Sequence, residues 1–192
     1  MIISKNTLLK NKEFYLNEIK KGKIFVYPTD TIYGIGCDAS DKKAIEKIRK
    51  IKKRDGKPFS VIVPDKKWIY ENCAVSKIAE SYMEKLPGKY TLILPIKNKN
   101  KISKESLVGA LNSLGVRIPE NWFAEFLSVN NLVFVTTSVN LSGEKPISKI
   151  KEINSEMIKE IDYVIDDGVL EGKPSEIINL TGEKEDFLRR NN

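Results

Sequence analysis

The sequence of 192 residues contains no histidine. Serine–histidine–aspartate triads, cysteine–histidine dyads, HExxH zinc sites and imidazole acid–base catalysis are therefore excluded. Any reaction must depend instead on lysine, arginine, serine, threonine, asparagine, carboxylates or a bound metal ion.

Cysteine is almost as scarce. Cys37 and Cys73 are the two cysteines of the chain, and they lie too far apart in the sequence to form a CxxC motif. A thiol nucleophile without an imidazole needs another activator, and none is visible. We therefore expect both thiols to be buried as small apolar side chains.

Long apolar runs are also missing, since no stretch approaches the roughly 20 residues of a membrane span. The start of the chain lacks the charged and apolar segments of an export signal, so we expect a cytoplasmic protein without membrane contact. With 41% apolar and 31% charged residues, the composition is typical of a soluble globular protein. The length predicts one domain over residues 1–192.

The positive charge is concentrated in two segments of the chain. The 33 basic residues outnumber the 26 acidic ones, for a formal net charge of +7. Residues 41–57 contain nine basic side chains, and residues 97–104 contain lysines without any acidic residue. These clusters suggest a polyanionic partner, either a nucleotide or RNA. A solvated helix face in a lysine-rich chain is the alternative explanation.

The hydrophobic spacing alternates between helical and strand periods along the chain. We predict helices over residues 13–21, 41–53 (capped by Ser40), 66–71, 75–86, 122–129 and 150–161, strands over residues 23–27, 60–63, 90–96, 114–118, 132–136, 163–165, 176–180 and 187–189, and a polar loop over residues 97–106. Interleaved strands and helices predict an α/β fold. Several connections are too short for crossover helices, which predicts a mixed sheet.

Two glycine-rich segments imitate nucleotide-binding motifs. Residues 34–39 read GxGxxA, but the first glycine does not directly follow the predicted strand, and no acidic ribose clamp comes later. Residues 168–175 have one residue too few between the glycines of a P-loop, and a proline follows the lysine. Neither segment predicts a nucleotide site.

Residues 28–34 (Pro-Thr-Asp-Thr-Ile-Tyr-Gly), the 28–34 loop, follow the end of a predicted strand. They carry two hydroxyls, a carboxylate and a phenol. Small polar ligands bind at strand ends in α/β sheets, so this loop is a candidate binding segment. An ordinary turn, in which threonine and aspartate satisfy backbone groups, is the alternative.

Two further polar segments stand at the ends of predicted elements. Lys52 and Arg54 follow the basic helix, where they can either complement the helix dipole or clamp phosphates. Residues 136–143 follow a strand and carry four hydroxyls and an amide. Ser138 and Asn140 face the same side of an extended segment, which suits contacts to phosphate or base. A hydrogen-bonded turn is the alternative.

Taken in order, these segments resemble the motifs of the YrdC/TsaC family of threonylcarbamoyl-adenylate synthases. The family's PTxTxYG motif corresponds to the 28–34 loop, its KxR pair to Lys52 and Arg54, and its SxN pair to Ser138 and Asn140. Residues 114–119 (Leu-Gly-Val-Arg-Ile-Pro) are similar to its VRxP strand, and residues 173–178 to its late strand with serine or threonine. The likeness extends from about residue 23 to residue 190.

The resemblance implies a YrdC-like single domain, with a twisted mixed sheet, flanking helices and a basic concave cavity. It also implies a reaction in which the amine of L-threonine takes up CO₂ or bicarbonate as a carbamate. The carbamate oxygen then attacks the α-phosphate of ATP and releases pyrophosphate. The product supplies N6-threonylcarbamoyladenosine formation in tRNA. Mg²⁺ accompanies ATP, with no organic cofactor and no metal ligand assigned on the chain.

The same resemblance implies roles for individual residues. Lys52 and Arg54 are the catalytic candidates. The implied ATP contacts are Lys52, Arg54, Lys57, Ser113, Asn140, Ser148 and Arg189, with Arg190 as an alternative match for the last. The implied threonine contacts are Thr31, Arg117, Ser138 and Ser175. The fork geometry of a guanidinium makes Arg117 the candidate partner of the threonine carboxylate.

The implied partners beyond ATP, L-threonine and bicarbonate are tRNA or double-stranded RNA on a basic face, and a downstream threonylcarbamoyl-transfer complex. Two alternatives remain. A related branch with the same fold lacks the Ser-x-Asn pair, and Ser138 and Asn140 argue against it. The other alternative is a non-catalytic RNA-binding protein of this fold, whose affinity for RNA would fall steeply with salt.

Overall fold

The computed structural model describes residues 1–54, 56–97, 102, 107 and 111–188. Ten strands occur in these residues: β1 Ile2–Ser4, β2 Phe25–Tyr27, β3 Gly34–Gly36, β4 Ser60–Ile62, β5 Tyr90–Pro95, β6 Ser113–Arg117, β7 Phe134–Ser138, β8 Tyr163–Asp166, β9 Glu176–Asn179 and β10 Asp186–Leu188. They form one sheet in the order β1-β8-β2-β3-β7-β4-β6-β5-β9-β10.

The sheet is mixed, as the short connections predict. Strand β8 pairs in parallel with β1 and β2, β4 with β6, and β5 with β9. The other five pairs (β2/β3, β3/β7, β4/β7, β5/β6 and β9/β10) are antiparallel. The α/β class with a twisted sheet and flanking helices is therefore confirmed.

The structure gives bounds for seven α-helices: α1 Lys5–Lys10, α2 Lys12–Lys20, α3 Lys42–Ile51, α4 Lys66–Asn72, α5 Lys77–Met83, α6 Trp122–Val129 and α7 Ser155–Lys159. A 3₁₀ turn spans Ile150–Glu152. Short polar side chains begin several helices. The Asp65 carboxylate, for example, accepts from the Trp68 N–H at 2.7 Å at the start of α4.

Two hydrophobic clusters pack on opposite faces of the sheet, because side chains alternate along each strand. On β2, Val26 belongs to one cluster, and Phe25 and Tyr27 belong to the other. The buried isoleucines of α3 pack in the first cluster, and apolar side chains of α2 and α6 pack in the second. The sheet thus lies between two helical layers, which leaves its strand ends to carry polar loops.

Two of the predicted helices show how well capping can be read from the sequence. Helix α6 has the predicted bounds, and Asn121 caps it by accepting from the Ala124 N–H at 3.0 Å. The cap predicted for α3 is wrong, since Asp41 accepts from the Ala44 N–H. Ser40 instead donates from its N–H and its hydroxyl to Asp38 Oδ1, at 2.7 and 2.6 Å.

The helix predicted over residues 150–161 is wrong. The 3₁₀ turn and α7 are separated by Ile153, whose backbone is extended, and by Asn154. The Asn154 side chain accepts from the Glu156 and Met157 N–H groups, so a new helix begins there. The strand predicted over residues 132–136 lies two residues later, at β7, while β1, α1 and β3 were not predicted. The predicted 97–106 loop lies outside the described residues except at Lys97 and Ile102.

Candidate active site

A cavity of about 440 Å³ lies where β3 begins and β7 ends. These two strand ends are direct neighbours, since Gly34 pairs with Ser138 in the sheet. The structure brings seven of the predicted site residues to the cavity wall: Lys52, Arg54, Lys57, Arg117, Ser138, Asn140 and Ser175. They come from four separate stretches of sequence, which the fold gathers at one place.

Three of the predicted site residues that the structure describes are not part of this wall, and a fourth is not described. Thr31 is buried beside it, with 1% of its surface exposed. Ser113 begins β6, at the opposite end of that strand from Arg117. The Ser148 N–H and hydroxyl donate to Glu152 Oε2 at 2.8 and 3.3 Å, and neither of these two residues lines the cavity. Arg189 lies outside the described residues.

Lys52 is almost completely buried, with 1% of its surface exposed, although it carries a charge. Its ammonium donates to the backbone oxygen of Ser138, to the backbone oxygen of Asn140 at 2.7 Å and to Asn140 Oδ1 at 3.1 Å. An ammonium has three N–H donors, so these acceptors match its whole capacity. Lys52 therefore ties the end of α3 to the loop after β7.

Residues 138–143, the 138–143 loop, hold their shape through further side-chain bonds. The Ser138 hydroxyl donates to Asn140 Oδ1 at 2.5 Å. Asn140 Nδ2 donates to the backbone oxygens of Leu141 and Glu144, at 2.9 and 2.6 Å. Both ends of the Asn140 amide are thus engaged, which fixes the backbone that lines the cavity.

Arg54 lies on the wall next to an aromatic ring and a second arginine. Its Nη2 donates to the Pro58 oxygen at 2.9 Å, while its guanidinium and that of Arg49 lie 5.4 and 4.6 Å from the centre of the Phe59 ring. Burial lowers the pKa of Arg54, and the nearby charge of Arg49 lowers it further. The Arg54 Nε–H is buried without a hydrogen-bond partner, so an anion at this wall would stabilise the charge.

Arg49 and Phe59 were not identified from the sequence. Arg49 Nη1 donates to the backbone oxygens of Arg54 and Lys57, at 3.2 and 2.8 Å. It therefore holds the segment that carries two cavity cations. The arrangement depends on the path of the chain after α3, which helical periodicity does not describe.

Arg117 enters the cavity from the end of β6. Its Nη2 donates to Asp30 Oδ1 at 2.8 Å and lies 3.4 Å from Thr31 Oγ1, both in the 28–34 loop. Burial lowers the pKa of Arg117, and the Asp30 carboxylate opposes that shift. The Arg117 Nε–H is also buried without a hydrogen-bond partner. Buried polar groups are seldom left in this state, so both arginines have a donor available for a ligand.

Hydroxyl groups complete the polar part of the wall. The Thr91 hydroxyl in β5 and the Ser175 hydroxyl just before the neighbouring strand β9 lie 2.8 Å apart, and both residues are buried. Residues 167–174 pack against the 28–34 loop, where the Tyr33 hydroxyl donates to the Gly168 oxygen at 2.8 Å. A Cβ added at Gly172 would lie 2.1 Å from the Thr31 oxygen. The close approach of these two segments therefore requires glycine at position 172.

The cavity is positively charged. Among the described lining residues, Lys52, Arg54, Lys57 and Arg117 are cationic, and Glu144 is the one carboxylate. The excess of cations favours an anionic ligand. No group of three or more histidine, cysteine, aspartate or glutamate residues that could hold a metal occurs in the described part of the chain.

None of the described helices is long and apolar enough to cross a membrane.

Both cysteines are buried and free, as the sequence predicts.

Comparison with known proteins places these features in a family. Residues 17–191 match the Sua5/YciO/YrdC family model, which carries the description "Telomere recombination". A relative from Methanocaldococcus jannaschii, named "Putative threonylcarbamoyl-AMP synthase", is 39% identical over 175 residues, which cover 90% of this chain and 81% of the relative.

Solved structures have the same fold. The crystal structure of Escherichia coli YciO superposes with a TM-score of 0.83 at 28% identity, over 98% of this chain and 93% of that one. P. abyssi Sua5 complexed with L-threonine superposes with a TM-score of 0.84 at 24% identity, over 98% of this chain. The match spans 57% of the Sua5 chain, so this chain corresponds to little more than half of it. By its sequence match, the chain belongs to the Sua5/YciO/YrdC family.

Proposed function

We propose that the protein is an L-threonylcarbamoyladenylate synthase, a nucleotidyltransferase that condenses L-threonine, bicarbonate or CO₂, and ATP to threonylcarbamoyl-AMP and pyrophosphate. The observation that carries this proposal is the cationic cavity, in which Arg54 and Arg117 each keep a buried N–H without a partner. A ligand with phosphates and a carboxylate could satisfy both donors. The name of the M. jannaschii relative and the L-threonine in the Sua5 structure support the same reaction.

The phosphate end of the ligand is assigned to the wall formed after α3. Arg54 is the proposed phosphate fork, and Lys57 and Asn140 are further ATP contacts on the same wall. Lys52, the other catalytic candidate, contributes its positive charge there and holds Asn140. The ATP contacts implied for Ser113 and Ser148 stay predictions, since neither residue is among those that line the cavity. The contact implied for Arg189 also stays a prediction, because this residue lies outside the described part of the chain.

The amino-acid end is assigned to Arg117, with Ser138 and Ser175 on the same wall and Thr31 behind it. Arg117 would pair with the threonine carboxylate through its free N–H groups. In this proposal, Arg54 would contact the phosphates of ATP and Arg117 the carboxylate of threonine. It also leaves the amine of threonine available for carbamate formation.

The proposed chemistry requires no histidine. A C–N bond forms between the threonine amine and CO₂ with loss of a proton, and a carbamate oxygen then displaces pyrophosphate from the α-phosphorus. Such a transfer depends mainly on alignment and on neutralisation of charge, which Arg54, Lys52 and Lys57 would supply. Mg²⁺ bound with ATP would neutralise phosphate charge. Glu144 is the carboxylate among the described lining residues that could hold the ion.

The direct test is to incubate the purified protein with ATP, Mg²⁺, bicarbonate and L-threonine, and to measure pyrophosphate release and the adenylate by mass spectrometry. We expect a product that requires both threonine and bicarbonate. A folded protein that makes no adenylate under these conditions would overturn the proposal. We propose further that the product passes to a downstream threonylcarbamoyl-transfer complex acting on tRNA in the cytoplasm.

RNA binding without catalysis is the second candidate. Lys42, Lys43, Lys50 and Lys53 are exposed along and just after α3, where they could contact phosphates of tRNA or double-stranded RNA. RNA affinity that falls steeply with salt, together with absence of adenylate, would favour this candidate. The cavity favours the enzyme over the second candidate, because RNA binding by exposed lysines would not require a cavity.

A further inference from the structure

Asp30 contacts Arg117 from outside the cavity. The two side chains are 5% and 7% exposed, and Arg117 Nη2 donates to Asp30 Oδ1 at 2.8 Å. The second carboxylate oxygen of Asp30 accepts from the Glu120 N–H at 3.2 Å. Arg117 lines the cavity but Asp30 does not. Asp30 can therefore affect a ligand through Arg117 rather than by touching the ligand.

A chain of hydroxyls fixes the same guanidinium from a second side. The Thr29 hydroxyl donates to the Ile32 oxygen at 2.7 Å, which uses its one proton. The Thr31 hydroxyl, 2.8 Å from Thr29 Oγ1, must then be the donor of that pair. Its lone pairs face Arg117 Nη2 at 3.4 Å. One amino group of Arg117 is thus held within the 28–34 loop, while its Nε–H has no partner.

The two cavity arginines differ in the charged groups next to them. Among the described residues, Arg54 has no carboxylate partner, and its neighbouring charge is the cation Arg49. Arg117 has a buried carboxylate partner that offsets part of its charge. A polyphosphate is therefore attracted more strongly towards Arg54, and a single carboxylate is better matched to Arg117.

We propose that Asp30 is a positioning residue for amino-acid recognition, which holds Arg117 in the orientation that receives the carboxylate of L-threonine. This inference rests on the proposed function, since it names the group that orients one of its substrate contacts. Asp30 sets both the direction of the guanidinium and the balance of charge between the two ends of the cavity. Loss of Asp30 should weaken threonine binding and leave ATP binding nearly unchanged.

The first variant is Asp30→Asn, which keeps the size of the side chain. An amide can accept a hydrogen bond at one end only, so it cannot receive both Arg117 Nη2 and the Glu120 N–H. We expect the Kd for L-threonine, measured by calorimetry, to rise about tenfold, which corresponds to loss of one hydrogen bond to a charged group. The KM for threonine should rise similarly with little change in kcat.

The matched control is Asp65→Asn, which changes an aspartate that caps α4 and bonds to the Trp68 N–H rather than to an arginine. Its threonine affinity should equal that of the wild type. Asp30→Glu is the second variant, for the case in which Asp30→Asn does not fold. It keeps the charge pair but displaces the carboxylate by one methylene, so threonine affinity should again fall.

A double-mutant cycle separates positioning from a general structural role. If Asp30 acts through Arg117, Asp30→Asn should cost little further threonine affinity in an Arg117→Lys background. Equal losses in both backgrounds, or a folded Asp30→Asn protein with wild-type threonine affinity, would overturn the inference alone. A wild-type protein that neither binds threonine nor makes the adenylate would overturn the proposed function, and the inference with it.

Discussion

The buried ammonium of Lys52 donates to both the backbone oxygen and the side-chain oxygen of Asn140, at 2.7 and 3.1 Å. These two residues belong to separate motifs of the sequence, 88 residues apart. The backbone N–H of Ser142 returns a bond to the Lys52 oxygen at 3.1 Å. The KxR and SxN motifs therefore form one structural unit, in which the lysine shapes the loop that carries the asparagine.

Replacement of this lysine should affect stability as well as activity. In Lys52→Met, the apolar stem remains, but the oxygens of Ser138 and Asn140 lose their donor inside the protein. We expect the free energy of unfolding to fall by about 2–3 kcal/mol, because partly buried acceptors lose a charged donor. Urea denaturation measures this change, and adenylate formation should fall in parallel.

The control for Lys52→Met is Lys50→Met, at an exposed position in the last turn of the same helix. Its stability should stay within about 0.5 kcal/mol of the wild type. If Lys52→Met unfolded at the wild-type urea concentration, the bonds to the 138–143 loop would not contribute to the fold.

Replacement of Arg54, by contrast, should affect activity much more than stability. It is half-buried, its Nε–H has no partner, and burial next to Arg49 already disfavours its charge. Arg54→Ala should therefore change stability by less than about 1 kcal/mol. It should lower kcat/KM for ATP by about a hundredfold, as expected for loss of a preorganised charge at a reacting phosphate. Thermal unfolding and pyrophosphate release measure the two effects.

Here Lys50→Ala provides the comparison, because it removes one positive charge from the last turn of α3, just before Arg54, without touching the cavity. A similar loss of activity in both variants would indicate a general effect of charge. Wild-type kcat/KM in Arg54→Ala would reject the role of this arginine in phosphate binding.

The sequence predicts local features of this protein better than its distant contacts. Helix α6 has the predicted bounds because its cap and its apolar spacing are both local. Strand β3 was missed because two of its three residues are glycines, and its strand character depends on pairing with β2 and β7. A Cβ at Gly36 would lie 1.9 Å from the Val135 oxygen, so the glycine is required by a strand that is distant in sequence.

In the candidate site, too, local features could be predicted from the sequence better than distant contacts. Its motif residues could be selected from the sequence, but their partners could not. Asp30 lies in a recognised motif, yet its bond to Arg117 joins residues 87 positions apart. The side chains of Arg49 and Phe59 gain their roles only when the chain turns after α3. Such contacts depend on the complete fold.

The two thiols should be unreactive in the folded protein. Burial raises the pKa of Cys73 to about 11 and raises that of Cys37 well above its usual range. At pH 8 the thiolate fraction of Cys73 is then about a hundredfold lower than in the unfolded chain. A raised folded-state pKa also means that stability is lost as the pH rises from about 8.5 towards 11.

The measurement is the rate of reaction with a thiol-specific disulfide reagent at pH 8, with and without guanidinium chloride. We expect both cysteines to react in the unfolded chain and neither to react at a comparable rate in the native one. Native rates within a factor of about ten of the unfolded rates would contradict the burial of these thiols.

Gly172 provides the final test, because it brings the 167–174 segment against the 28–34 loop. A Cβ at this position would lie 2.1 Å from the Thr31 oxygen and 2.7 Å from its Cα, and neither backbone atom can move independently of the loop. Gly172→Ala should therefore displace Thr31 and, through it, the hydroxyl next to Arg117. We expect a loss of about 1–3 kcal/mol of stability from this overlap.

The effect on substrates should be selective. Because Thr31 and Arg117 lie at the amino-acid end, the KM for threonine should rise more than the KM for ATP in Gly172→Ala. Gly182→Ala is the matched control, since a Cβ there has its nearest neighbour at 3.8 Å. This control should keep wild-type stability and both KM values. Equal rises of the two KM values in Gly172→Ala would argue that the 28–34 loop does not distinguish the amino-acid end from the phosphate end.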